Sequence, residues 1–249
     1  MENKKKKTIL IIGTILAVVA IVIAIVLICG NHKFERTTIY PDDTFSRPSD
    51  TTFVVNGVEF KMIGVKGGVF CGEGLKNEAS LPNFYISESE VSYGLWNAVM
   101  YEDHTTSGEY AELPVSDISL DDCFDFLERL DSITGVGFYL PPYEYWLYAA
   151  YSGKFMQKTP KLDESAWYTG NSDGNVHPVK SKNPDALGLY DMVGNVAEWT
   201  ISGPDPLFII AGGSYKDDSA NCSLDSYVIN HADVRMDNIG FRIVYIPSK

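Results

Sequence analysis

Residues 183–199 read NPDALGLYDMVGNVAEW, and this stretch decides the fold more than any other part of the chain. Its seventeen residues hold turn formers, two glycines, amides, acids and a tryptophan. A regular helix or strand does not require that mixture, whereas a backbone that wraps closely around something does. Glycine allows close approach and positive φ, and Asn and Asp side chains bond to nearby backbone. The stretch therefore predicts a tightly turned loop, and it identifies no ligand.

The N-terminus predicts a single membrane-spanning helix. Residues 1–7, MENKKKK, precede residues 8–29, which carry no charge. At about 1.5 Å per residue the apolar run extends roughly 33 Å, which is enough to cross the hydrocarbon core of a bilayer. Because lysines remain on the cytoplasmic side, residues 1–7 are expected to form a cytoplasmic tail. The rest of the chain is then expected outside the cell membrane, in the extracellular space or the periplasm.

Two alternatives to an uncleaved anchor stay open. A cleaved signal peptide has an apolar run of about 7–15 residues and an A-x-A site, and the chain shows neither. Lipoprotein cleavage before Cys29 favours a small residue ahead of the cysteine, and Ile28 is not small. An uncleaved transmembrane helix over residues 8–29 is therefore the expectation.

Residues 30–52 are polar and are expected to tether a single globular domain, residues 53–249, to the membrane. The whole chain has a net charge of −13, and four lysines and one glutamate give residues 1–7 a charge of +3, so the remainder carries −16. Nucleic acids and anionic lipid surfaces require a basic surface, so composition argues against both as partners. The acids remain available for a hard cation such as calcium.

Local patterns predict short elements joined by many loops. Val54–Phe60 is expected to form a hairpin around Asn56 and Gly57, with strand structure continuing to Phe70. Three short helices are expected: one after Ser92, one from Ser119 to Gly135, and one that opens at Pro142 and closes near Gly153. The apolar stripe of the second helix is expected to be Cys123, Leu127 and Leu130, with Phe124 and Phe126 beside it.

Several segments occur in order along the outer domain and together indicate a family. They include FKMIGVKGGVFCGEG, LPNFYISESEVSYGLWNAVM, GFYLPPYEYWLYAA, GLYDMVGNVAEW, AGGSY and NIGFRIV, within residues 53–246. In these segments the chain resembles the formylglycine-generating enzyme, or sulfatase-modifying factor, family. The resemblance implies an α+β, loop-rich fold related to C-type lectins.

The resemblance also implies a structural calcium ion at the GNVAEW turn. The matching positions are Asp191, Gly194, Val196 and Glu198, of which the glycine and the valine contribute backbone carbonyls. Two carboxylates and two carbonyls are hard oxygen ligands, which calcium prefers. The alternative is that Asp191 and Glu198 only cap nearby backbone.

The catalytic pair of the family is incomplete in this chain. The oxidising enzymes hold copper(I) with two cysteines five residues apart, just after GGSY, and the matching positions here are Asp217 and Cys222. A carboxylate is a hard ligand and does not replace a thiolate on copper(I), so neither copper nor a catalytic residue is expected. Cys222 is catalytic only in the alternative, an oxidase in which Cys71 or Cys123 supplies the second thiol. The three cysteines have no C-x-x-C spacing, so zinc is not expected.

The C-terminal segment, residues 216–237, is the expected binding face. Residues 217–234 contain no Lys, Met, Glu, Gln or Trp. These five types do not arise from randomised AAY codons, so the run resembles the variable segment that diversity-generating retroelements produce in some proteins of this fold. An ordinary polar loop that has drifted is the alternative. The candidate ligand-binding residues are Lys216, Asp217, Asp218, Ser219, Asn221, Ser223, Asp225, Tyr227, Ile229, Asn230 and His231.

The sequence supports three functional hypotheses. The first is a membrane-anchored, non-catalytic protein that binds or displays a ligand, with an extracellular protein or glycan as its partner. The second is a copper-dependent oxidase that converts a target cysteine to formylglycine. The third is a structural partner in an envelope complex. The substitution of the thiol position by Asp217 and the composition of the tail favour the first hypothesis.

Overall fold

The structure is a computed structural model that describes residues 38–41, 46–71, 79–100, 107–156, 161–202 and 207–247. The predicted cytoplasmic tail, the predicted transmembrane helix and much of the predicted tether lie outside these residues. Among the helices in the described ranges, none has the length and apolar character needed to cross a bilayer. The chain divides into two compact units, residues 1–38 with 71–77 and residues 39–70 with 78–249, and the second contains nearly all of the described residues.

The described residues form an α+β fold of short elements. The strands are β1 (Thr38–Pro41), β2 (Thr51–Val55), β3 (Val58–Val65), β4 (Gly68–Cys71), β5 (Ala79–Leu81), β6 (Phe84–Ser87), β7 (Ala197–Ser202), β8 (Leu207–Ala211), β9 (Tyr227–Asn230), β10 (Ile239–Gly240) and β11 (Val244–Tyr245). The helices are α1 (Tyr93–Met100), α2 (Leu120–Thr134), α3 (Tyr143–Met156) and the single turn α4 (Leu162–Ser165), and a 3₁₀ turn covers Glu109–Glu112.

The first sheet has the order β11-β6-β3-β2 and is antiparallel throughout. The predicted hairpin is confirmed: Val55 pairs with Val58, and Asn56 and Gly57 have φ of 48° and 85°. Strand structure does not run unbroken to Phe70, since β3 ends at Val65 and β4 begins at Gly68. Between them lies Gly67, where a Cβ would lie 2.5 Å from the carbonyl oxygen of Leu81, so only glycine fits. The chain then enters β4, which pairs with β5.

The three predicted helices are present. Ser119 and Asp122 form a reciprocal capping box at the start of α2, and Gly135 ends the helix in the left-handed region at φ 70°. Within α2, Phe126 is part of the buried core, whereas Phe124 is 45% exposed. The expectation that both phenylalanines lie beside the apolar stripe is therefore corrected. The 3.6-residue helical period places position 126 over the core and position 124 toward solvent.

The second sheet has the order β10-β7-β8-β9, so β9 is its edge strand. Register aligns Trp199 with Ile210 and Ile210 with Val228, which places these three side chains on one face because side chains alternate along a strand. We call this the pocket face. Toward β7 it joins the core of Trp96, Phe126 and Phe241. The opposite face contacts α3 and carries Glu198 and Tyr227.

Candidate functional site

The turn before β7 has the close-packed backbone that its sequence predicts. Asp191, Gly194 and Asn195 have φ of 53°, 79° and 54°. A Cβ on Gly194 would lie 2.3 Å from the carbonyl oxygen of Trp167, so a larger residue would force the two segments apart. The Asn195 side chain is buried and bonds to the backbone of His177 through both its oxygen and its nitrogen. The turn is therefore a structural junction between several loops.

A buried ion pair lies directly after this turn. The Arg242 guanidinium donates from Nε to Glu198 Oε2 and from Nη2 to Glu198 Oε1, each at 2.6 Å, and both side chains are fully buried. Trp146 Nε1 donates to Glu198 Oε2 at 2.6 Å, and Arg242 also donates to the carbonyl of Tyr190. The pair ties β7 to α3 and to the GFR segment. Glu198 thus already accepts hydrogen bonds from two side chains, the Arg242 cation and the Trp146 indole.

Two further carboxyls lie beside this pair. Asp191 Oδ2 accepts from the Lys180 backbone N–H at 2.9 Å, while Asp191 Oδ1 is buried with no hydrogen-bond partner among the described residues. Burial raises the pKa of Asp191 to about 6. Burial first, and then the charges of Asp191 and Glu198, raise the pKa of Glu90 well above its usual range. Three carboxyls with one guanidinium leave excess negative charge, which a proton or a metal ion can balance.

The expected calcium ligands fit an ion only in part. Asp191 has a buried oxygen without a partner, which suits a cation. Glu198 does not fit as a ligand in this arrangement, because both its oxygens accept from Arg242. No group of three His, Cys, Asp or Glu side chains suited to a metal occurs among the described residues. Calcium at Asp191, Gly194, Val196 and Glu198 stays a prediction, and comparing the melting temperature in calcium and in chelator tests it.

Asp217 and Cys222 lie in one loop, and each side chain bonds to Ser214. Asp217 Oδ2 accepts from the backbone N–H of Ser214 at 2.9 Å and from its hydroxyl at 2.6 Å. The Cys222 Sγ–H donates to the carbonyl of the same serine at 3.3 Å. Burial, and secondarily the Asp217 charge, raise the pKa of the Cys222 thiol to about 12. Cys222 is therefore a protonated, buried thiol, and Asp217 is a loop brace. Cys123 is a free, buried thiol in the core, and the side chain of Cys71 is outside the description.

Some of the predicted ligand-binding residues bond to other parts of the chain, and we call these the braces; the others are exposed. Asp217 is one brace, and Asp218, which accepts from two backbone N–H groups of its own turn, is another. Lys216 pairs with Asp237, and Asp225 accepts from the Tyr151 hydroxyl. Ser223 and Asn230 are half-buried. The remaining members are exposed on the surface: Ser219, Asn221, Tyr227, Ile229 and His231.

Four of the eleven predicted residues meet at one concavity of about 310 Å³, here called the tail pocket. They are Asp217, Asn221, Tyr227 and Asn230. The other residues that line the pocket are not among the predicted ones: Ala197, Ile210, Gly213, Ser226, Val228, Met236, Asn238 and Ile239. Strand alternation in YVIN was a usable signal for Val228. No sequence signal points to Asn238, because it lies in the NIGFR segment, which the resemblance assigns to the scaffold shared by the family.

The tail pocket has an apolar floor and polar side chains in its lining. Ala197, Ile210 and Ile239 are buried in the sheet and form the floor. Asn238 donates from Nδ2 to Ser214 Oγ, whereas its Oδ1 is buried without a hydrogen-bond partner among the described residues. On β9, Val228 lines the pocket and is 58% exposed, and its neighbour Ile229 is 57% exposed. An apolar cavity with few polar groups next to exposed aliphatic side chains is typical of a binding site.

Comparisons with known proteins place this geometry in context. The family model for the sulfatase-modifying factor enzyme 1-like domain matches residues 42–246. No curated protein matches the chain in sequence.

Three solved structures share the fold. Treponema denticola variable protein 1 is 24% identical, with 80% of this chain and 100% of that chain covered and a TM-score of 0.69. PvdO from Pseudomonas aeruginosa is 19% identical, with 80% and 99% covered and a TM-score of 0.66. CarF is 24% identical, with 76% and 99% covered and a TM-score of 0.61. At these identities the likeness concerns the fold alone.

Proposed function

Because the chain belongs to the sulfatase-modifying factor enzyme 1-like family, we propose that it is a non-catalytic member that binds a ligand with residues 216–237. The tail pocket and the exposed side chains of β9 are the proposed contact surface. The proposal extends to a membrane anchor over residues 8–29 and to a protein or glycan partner outside the membrane. An apolar run preceded by four lysines supports the anchor and its orientation.

The bonding of Asp217 is the observation that carries the proposal. Its carboxylate braces the Ser214 backbone at the position where the family's oxidising members hold a thiolate. Copper(I) requires soft sulfur ligands, and the one nearby thiol, Cys222, stays protonated because burial raises its pKa to about 12. A carboxylate in place of the second thiol and a buried, protonated first thiol both support a non-catalytic role. The same loop instead borders a cavity.

Retroelement diversification of residues 217–234 remains part of this proposal. The absence of five residue types from the run supports it, and a protein named as variable shares the fold. Exposed side chains at Ser219, Ile229 and His231 can change without disturbing buried contacts. A reverse-transcriptase gene and a near-copy of the last hundred or so bases beside this gene would support the idea, and their absence would remove it.

Copper chemistry gives the first test. The reduced full-length chain is titrated with copper(I) against a chromogenic chelator and incubated with a sulfatase-type cysteine peptide, which mass spectrometry then analyses. We expect no copper binding and no formylglycine for the natural chain, whereas Asp217→Cys gains copper affinity. Formylglycine production by the natural chain would overturn the proposal.

Ligand binding gives the second test. Arrays of glycans and of purified extracellular proteins are probed with the natural chain and two variants, Val228→Lys and Val54→Lys. Both valines are exposed on strands, at 58% and 60%, but Val54 lies on β2, outside the tail pocket. We expect Val228→Lys alone to lose at least about tenfold in affinity, which corresponds to about 1.4 kcal/mol. Equal binding by all three proteins would contradict the proposed surface.

A further inference from the structure

We propose that the ligand is an extended protein segment that adds a strand to β9 and places an arginine or lysine side chain in the tail pocket. This inference rests on the proposed function and names the chemistry of its ligand. Three features of the described residues carry it: the backbone of β9, the acceptors of the pocket, and the charge of residues 216–237.

The outer edge of β9 presents unpaired backbone groups. Gly212 N–H donates to the Ser226 carbonyl, so residues 212 and 226 form a hydrogen-bonded pair. Such pairs alternate along antiparallel strands, which makes Ile210 with Val228 the next one and turns the backbone of Tyr227 and Ile229 away from β8. No backbone hydrogen bond from another described residue reaches these two positions on that side. An extended peptide can therefore pair with them, as in β-strand addition.

The side chains along this edge suit a peptide strand. Tyr227, Val228 and Ile229 are 45%, 58% and 57% exposed, so three consecutive large apolar residues face solvent at least in part. Natural edge strands are usually protected by charges, prolines or a covering segment, and the sequence YVIN contains none of these protective residues. Burial of such side chains by a partner strand would contribute favourable apolar contact on both faces.

The tail pocket calls for a hydrogen-bond donor on an apolar stem. Its floor of Ala197, Ile210 and Ile239 is apolar, and Val228 forms part of its wall. Asp217 contributes negative charge to the lining, and Asn221 and Asn230 contribute polar groups. A carboxylate beside an apolar surface favours a ligand group that donates N–H hydrogen bonds and carries positive charge. Arginine and lysine combine an aliphatic stem with N–H donors and positive charge.

The charge of the segment selects a basic partner over a second copy of the chain. Residues 216–237 hold five aspartates, one lysine and one arginine, a net charge of −3. Both basic side chains are already paired, Lys216 with Asp237 and Arg235 with Asp122. Pairing β9 with β9 of a second copy would bring two such acidic segments together, which is unfavourable. A segment with net positive charge complements the surface.

Selection from a random linear decapeptide library displayed on phage tests the inference, with the full-length chain in detergent as bait. We expect the enriched peptides to carry arginine or lysine between β-branched or aromatic residues. Each should bind the natural chain and Val54→Lys, and should lose at least about tenfold on Val228→Lys. Replacement of the basic residue by citrulline, and N-methylation of alternate peptide amides, should each weaken binding about tenfold.

The outcomes separate this inference from the proposed function. Enriched peptides without basic residues, or peptides that tolerate N-methylation at every amide, overturn the inference. If no peptide is enriched while an array ligand is lost on Val228→Lys, the surface binds a ligand of another class, so the inference fails and the proposed function stands. If Val228→Lys changes neither peptide nor array binding, both fail.

Discussion

The turn at residues 183–199 and the tail at residues 216–237 differ in where they place their polar side chains. In the turn the polar groups are buried: Asp191, Asn195 and Glu198 are each less than 5% exposed, and Arg242 pairs with Glu198 inside the protein. In the tail most polar groups face solvent and few reach the core. The polar groups of the turn therefore serve the fold, whereas the exposed side chains of the tail are available to the ligand of the proposed function.

The tail is nevertheless fixed at defined points. Asp217 and Cys222 bond to Ser214, and Arg235 donates to Asp122 at the start of α2. One backbone hydrogen bond, from the Leu120 N–H to the carbonyl of Ala232, holds the segment after β9 against the same helix. Between these anchors lie turns and the short strand β9. Such an arrangement holds a surface in place without making its exposed side chains part of the core.

The largest expected effect concerns the buried pair in the turn. Arg242→Met leaves the Glu198 carboxylate without its cation, and breaking a buried pair from one side costs about 3–5 kcal/mol. We expect the free energy of unfolding, measured by urea titration, to fall by that amount. Glu198→Gln combined with Arg242→Met should recover part of the loss. Lys216→Ala, which breaks an exposed pair in the tail, is the control and should change stability little. Equal losses in both variants would erase the contrast between the regions.

A pH dependence of stability should also come from the turn. Burial raises the pKa of Asp185 from 3.8 to about 6, against hydrogen bonds from the backbone of Leu189 and Leu187 that favour its ionised form. The folded state then binds its proton more tightly than the unfolded state. The contribution of the Asp185 proton to the free energy of unfolding is therefore fully present below pH 3.8. It is lost as pH rises to about 6, by an amount on the order of 2 kcal/mol.

Urea titrations at pH 4.5 and pH 7 measure this effect. Asp185→Asn should reduce the loss between the two pH values, because the amide keeps an acceptor for the backbone N–H groups and carries no charge to bury. Asp233→Asn, an exposed change in the tail, is the matched control and should keep the pH dependence of the natural chain. If both variants behave as the natural chain does, Asp185 is not the source of the difference.

The sequence predicted the turn and the helices well because their signals are local. Positive φ and close approach follow from Gly194 and its neighbours, and the capping box at Ser119 is a contact between residues three apart. The family resemblance is confirmed by the match over residues 42–246. The fold class followed from that resemblance.

The candidate site was predicted less completely, because its determinants are long-range. The sequence predicts Glu198 as a calcium ligand but gives no sign of its partner Arg242, which lies 44 residues away. It predicts Asp217 as a ligand-contacting residue but gives no sign that the Asp217 carboxylate bonds to Ser214. Val228 and Asn238 come together only when β8, β9 and β10 form one sheet. The composition of residues 216–237 identifies the segment, but it does not show which of its side chains bond to the rest of the chain and which are exposed.

The smallest expected effect distinguishes the braces from the exposed groups of the tail. A triple variant, Ser219→Asn with Ile229→Ser and His231→Tyr, changes three exposed side chains, and each should alter the free energy of unfolding by at most about 0.5 kcal/mol. The single change Asp217→Ala removes the acceptor of the Ser214 N–H and hydroxyl, which should cost about 1–3 kcal/mol. Urea titration of both variants compares them directly. If the triple variant loses more stability than Asp217→Ala, the three exposed side chains help to hold the fold. The idea that the exposed residues of the tail can vary without unfolding the domain is then wrong.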